Sequence, residues 1–151
     1  MDIRFEEVTG HVYEILNQVR EQYFLELANA NILPIFDTKK RVSKGKVVLA
    51  SIRKVNDLQR FLTINESGSL DGFDYLIVID KHAWDIAEDV DRVRLLRHEL
   101  SHTVVDDSDK PFKLRGHSLE DFYSEIELNV DDPKWAINLV GRVTLIYEGD
   151  E

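Results

Sequence analysis

Hydrophobic positions near the start of the chain recur every three or four residues: Val8, Val12, Ile15, Val19, Tyr23 and Leu27. That spacing predicts a helix over residues 5–28 with one apolar face. Gly10 weakens its opening turns. Residues 32–36 read as a short strand, and Pro34 places it at a sheet edge or a strand end. Ser43-Lys44-Gly45-Lys46 reads as a turn into a second strand over 47–54, where Val48, Ala50 and Ile52 alternate with polar neighbours. Asn56 can cap a short helix ending at Leu62, and the turn formers of 65–72 (NESGSLDG) follow. Residues 73–79 (FDYLIVI) are apolar on both faces, the pattern of a strand inside a sheet.

In the second half helical spacing takes over. Asp80 can cap a turn bearing His82 and Trp84. Val90, Val93, Leu96, Leu100 and Val104 share one side of a helix predicted over 89–105. A polar loop, 106–116, leads to a helix over 118–128, capped by Ser118 with Asp121 in a loose capping box. Asp132-Pro133 starts a last helix carrying Trp135, Ile137, Leu139 and Val140. It fades near Tyr147, and 142–147 also fits a strand. No repeat, low-complexity tract or linker interrupts the pattern. The expected fold is one α+β domain over 1–151, with a three- to four-stranded mixed sheet, an N-terminal helix, the helix of 89–105 and C-terminal helices.

Composition narrows the class. The 151 residues are 43% apolar and 32% charged, the balance of a globular chain. Cysteine is absent, which excludes disulfides and thiolate metal sites and fits a cytoplasmic protein. The start, MDIRFEEV, lacks a basic segment followed by an apolar run, so no secretory signal is expected. No apolar stretch reaches the roughly 20 residues that cross a bilayer. The net charge of -10 is unevenly spread: residues 1–60 hold ten Lys/Arg and eight Asp/Glu, whereas 61–151 hold nine and twenty-one. Lys39, Lys40, Arg41, Lys44 and Lys46 begin a basic stretch that either contacts phosphates or forms a solvated hairpin tip.

The chemistry concentrates in LLRHELSHTVVDD, residues 95–107. In a helix, residues four apart share a face, about 5–6 Å apart between Cβ atoms. His98 and His102 can therefore turn ring nitrogens towards one ion, and zinc accepts imidazole in a tetrahedral shell. Glu99 is offset around the helix, beside the metal rather than on it. There it can act as the base that deprotonates a zinc-bound water and then passes the proton to the leaving amine. Chance would place this H-E-x-x-H pattern in roughly one in a hundred chains of this composition.

A catalytic zinc takes a third protein ligand and keeps its fourth position for water. His117, after Gly116 and before the predicted helix, is the leading candidate. Asp106, four residues after His102, is read as an outer partner orienting a ligand imidazole. Glu120, Asp121 and Glu125 stand as alternative ligands or outer partners. Arg115 and Tyr123 are candidate donors to the oxyanion of the tetrahedral intermediate. Trp84 and Tyr123 are candidates for a pocket wall or for plain core, and His11 and His82 read as ordinary histidines.

His98-Glu99-Leu100-Ser101-His102, with His117 fifteen residues later in RGHSLEDF, resembles the SprT/Spartan-like zinc metallopeptidases. The wider layout is more similar to the phage-type metallopeptidases: an LASIRKV-like strand, a DYLIVIDKHAW-like strand and turn, R-HELSH, then H-x-x-E-[DE]-F. The likeness spans about residues 46–126, and Ser118 in place of the glycine of the Spartan pattern favours the phage-type group. It implies a zincin-like domain holding one zinc ion, a phage or prophage origin and a protein or peptide substrate, with strand 73–79 along the cleft. It also implies a second function class, a DNA-associated zinc module or a protease of nucleic-acid-bound proteins, in which the basic stretch touches phosphates. Substrate main chain would add to a sheet edge beside the metal; burial of 73–79 inside the sheet is the competing arrangement.

Overall fold

The spine of the sheet is a parallel pair rich in β-branched residues, β2 (Ile32–Asp37) and β6 (Tyr75–Asp80), in register from Ile32 opposite Tyr75 to Asp37 opposite Asp80. In the computed structural model, which describes residues 3–64, 72–116 and 128–149, two antiparallel strands flank this pair. They are β1 (Phe5–Glu7) beside β2 and β5 (Ala50–Lys54) beside β6, giving the order β1-β2-β6-β5. A small hairpin, β3 (Val42–Ser43) and β4 (Lys46–Val47), precedes β5, and a second, β7 (Thr103–Val105) and β8 (Phe112–Leu114), follows the longest helix of the centre. The helices are α1 (Gly10–Tyr23), α2 (Asp57–Leu62), α3 (Lys81–Ile86), α4 (Asp89–Leu100) and α5 (Trp135–Gly149). The fold is α+β with a mixed four-stranded sheet, as the sequence pattern predicts.

The core lies between one sheet face and the helices. Directly paired residues share a sheet face, so Ile32, Phe36, Tyr75, Ile77, Ile79, Ala50 and Ile52 look the same way. They join one apolar cluster with Val12, Ile15, Leu16 and Val19 of α1 and Leu95, Leu96 and Leu100 of α4. Each such side chain, fully buried, contributes about 1.5–3 kcal/mol. Trp84 is part of this core, packed on Phe36. Pro34 is tolerated in β2 because β1 pairs only with residues 35–37, leaving the strand without a neighbour on that side at the proline.

Several boundaries differ from the pattern. The first helix starts at Gly10, and residues 5–7 before it form an edge strand instead. The predicted helix of 89–105 stops at Leu100, because β-branched Thr103, Val104 and Val105 pair with Phe112–Leu114. Thr103 Oγ1 donates to the Leu100 carbonyl at 2.6 Å and satisfies part of that helix end. The predicted polar loop thus contains β8. Residues 142–147 are helical, within α5. The strand expected at 73–79 is interior, as its apolar faces require, so the sheet edges are β1 and β5 and not this strand.

Arg41 leaves the basic stretch and turns inward. It donates to Ser51 Oγ at 2.7 Å and to the Val78 carbonyl at 3.1 Å, and lies 3.3 Å from the Asp37 carboxylate. The fold thus uses it as a strut rather than presenting it to a phosphate. Lys39, Lys40, Lys44 and Lys46 are exposed around the β3–β4 hairpin, as a solvated tip would be, with Lys44 and Gly45 at positive φ in its turn. No described helix is long and apolar enough to cross a membrane.

Candidate active site

Helix α4 carries the first histidine in its last turn and releases the chain just before the second. Ser101 keeps a helical backbone, with φ -66° and ψ -16°, and its hydroxyl donates to the Arg97 carbonyl at 2.7 Å. His102 therefore remains one turn from His98 although it lies beyond the helix. The two rings meet edge to face with centroids 5.5 Å apart.

Arg115, directly after β8, clamps this turn. Its amide donates to the His102 carbonyl at 2.6 Å, and its Nε donates to the Ser101 carbonyl at 2.9 Å. Its own carbonyl lies 2.7 Å from His102 Nδ1. A carbonyl can only accept, so Nδ1 carries the proton and the lone pair of the neutral ring is at Nε2. A main-chain carbonyl that fixes the tautomer in this way is a common outer partner of metal-binding histidine. The group on His102 Nδ1 is thus the Arg115 carbonyl and not Asp106. The Asp106 carboxylate instead accepts from Ser108 Oγ at 2.6 Å and pairs with Lys113 at 2.5 Å.

Glu99 is 6% exposed and lines the same cleft as both histidines. Burial pushes its carboxyl up to about 8, against the opposing pull of the Arg41 charge. The donor set of this turn, two imidazoles with one tautomer fixed, suits a borderline metal such as zinc. Among the described residues no group of three His, Asp or Glu converges on one point. His117, Glu120, Asp121, Tyr123 and Glu125 lie outside the described residues.

The cleft has a volume of about 380 Å3. The edge strand β5 and the preceding Val48 and Leu49 line it, together with Leu95, Leu114, Arg115, Trp135 and Ala136. Arg115, whose Nε holds the Ser101 carbonyl, is among the residues that line the cleft. Trp135 takes the wall position considered for Trp84; the pattern marks it as a helix-start residue, but nothing local aims it at the histidines. Behind α4, the buried Arg94 bonds to Asp131, and Arg97 donates to Asn129 at 2.6 Å. The C-terminal segment is thereby tied to the back of the histidine helix.

No curated protein and no solved structure matches this chain. A family model does, in keeping with the paired histidines, the glutamate and the open strand: over residues 3–143 the chain matches the family described as "Putative phage metallopeptidase", and it belongs to that family.

Proposed function

We propose that this chain is a zinc-dependent peptidase in which His98, His102 and His117 hold one ion and Glu99 handles the proton of the attacking water. Family membership implies a metal ion and a protein or peptide substrate. The observation that carries the rest is the His98–His102 pair, its tautomer set by Arg115, in one cleft with a buried glutamate and a sheet edge.

A bound zinc would act as a Lewis acid, acidifying water and polarising the substrate carbonyl. The protein's own groups do the remainder. Glu99 accepts a proton as water oxygen bonds to the carbonyl carbon. It returns that proton to the amide nitrogen as the carbon–nitrogen bond breaks. Substrate main chain pairs with the outer edge of β5 and is held in an extended form. Arg115 is the one cation among the described residues lining the cleft and is the candidate partner for the developing oxyanion.

The test measures zinc by elemental analysis and casein cleavage for the wild type and Glu99→Gln. Both should bind one zinc per chain, while cleavage by the variant falls by about 10²- to 10⁴-fold. Equal cleavage by the two proteins ends the proposal. His117→Ala should lose zinc; full retention would remove His117 from the ligand set.

A further inference from the structure

The inference concerns the substrate of this cleft and rests on the peptidase reading. The Leu49 carbonyl accepts from the Asp80 amide at 2.8 Å, and the Val55 amide donates to the Asp74 carbonyl at 3.0 Å. In an antiparallel pair, inward and outward main-chain groups alternate. Leu49, Ser51, Arg53 and Val55 therefore point theirs at β6, and Ala50, Ile52 and Lys54 point theirs outward. A peptide strand laid on that edge pairs directly with Ala50 and Ile52.

Directly paired residues share a face, so the peptide side chains opposite Ala50 and Ile52 lie on the core face, where Leu95 and His98 stand. Their immediate neighbours point the other way, beside Ser51 and Arg53. Besides the histidines, Glu99 and Arg115, the cleft lining beyond β5 is apolar: Val48, Leu95, Leu114, Trp135 and Ala136. Its volume of about 380 Å3 is near the lower end of ligand pockets, roughly 300–1,000 Å3, so it suits one large side chain with its main chain and not a folded segment.

We propose that the cleft selects an extended peptide bearing one large apolar side chain beside the scissile bond, seated between Leu95, Leu114, Trp135 and Ala136. The residues on either side of it carry no apolar requirement, because they lie on the other face of β5, beside the half-buried polar Ser51 and the exposed Arg53. Selectivity thus alternates along the substrate with the period of a strand.

The experiment compares blocked five-residue alanine peptides with and without a central leucine. With zinc-loaded protein, kcat/KM for the leucine peptide should exceed that of the alanine peptide by about 10- to 200-fold. A second readout needs no turnover: in metal-free protein the indole NMR signal of Trp135 should shift with the leucine peptide and not with the alanine one. Leu114→Asp, on a partly exposed residue, and Ala136→Phe, which fills the cavity, should each remove both preferences. Cleavage of both peptides at equal rates, with no selective indole shift, overturns this subsite and leaves the peptidase intact. A leucine-selective shift with no cleavage of any peptide keeps the subsite and sinks the peptidase reading. No shift and no cleavage overturns both.

Discussion

Tyr75→Phe removes a single oxygen from the centre of the protein and tests how the cleft wall is held. Tyr75 is fully buried in β6, and its hydroxyl donates to the Lys113 carbonyl in β8 at 2.8 Å. Burial pushes its pKa well up, so it is a neutral donor at any working pH. Its ring also meets Phe112 edge to face at 5.9 Å. Phenylalanine keeps that contact and the shape but loses the hydrogen bond. Such a bond contributes about 0.5–1.5 kcal/mol net. Lys113 lies on an exposed strand where water can replace the donor, so the low end applies, about 0.5–1 kcal/mol. That is roughly a two- to fivefold change in an opening equilibrium. The hairpin that loses the tie carries Leu114 and the Arg115 carbonyl that orients His102. Amide exchange of β7, β8 and Arg115 should therefore speed up about two- to fivefold, matching the loss of global stability seen in a urea titration. Affinity for the proposed zinc should stay within about twofold, because a closed hairpin remains the dominant state. A lowered urea midpoint with unchanged hairpin exchange would refute the tie.

Two further substitutions probe the frame around the cleft. Gly72 has φ +73°, and an added Cβ would stand 2.1 Å from the Arg60 carbonyl. Gly72→Ala should destabilise by about 1–3 kcal/mol, and an unchanged thermal midpoint would contradict it. Asp37 is fully buried and accepts from Arg4 Nε and Nη2, each at 2.9 Å. Burial alone would raise its carboxyl pKa, but Arg4, the Lys39 amide and the Arg41 charge outweigh burial and hold it below the usual range. A depressed carboxylate contributes stability above its unfolded pKa, about 3.9, that is lost as pH falls through the folded value. Urea titrations between pH 7 and pH 2 should show a loss below about pH 4 that is smaller in Asp37→Asn; identical slopes would exclude Asp37 as a source.

What was legible in the sequence was local. The period of two in 47–54, the apolar run at 73–79 and the caps Asn56 and Asp80 act within a few residues. Both helix caps and the interior strand therefore formed where the pattern indicates. The strand expected at 47–54 begins only at Ala50, because Val47 pairs in the β3–β4 hairpin. The capping box of Asn56 and Gln59 closes at 2.8 and 3.2 Å, and Asp80 accepts the Ala83 amide at 2.8 Å. The spacing of His98 and His102 was equally plain, because helical geometry alone puts residues four apart on one side.

Pairing partners were not legible. Whether Thr103–Val105 continues a helix or turns into a strand depends on Phe112–Leu114, a segment with no periodic signal of its own. The pattern says that 73–79 is buried, but only the sheet order leaves β5 as the edge beside the histidines. Likewise nothing near Arg115 announces that its carbonyl sets the His102 tautomer, or that Trp135 closes the cleft. Side-chain periodicity is fixed by the backbone of one element. Which elements become neighbours is decided by the burial of all of them together, and the walls of this cleft are made by neighbours.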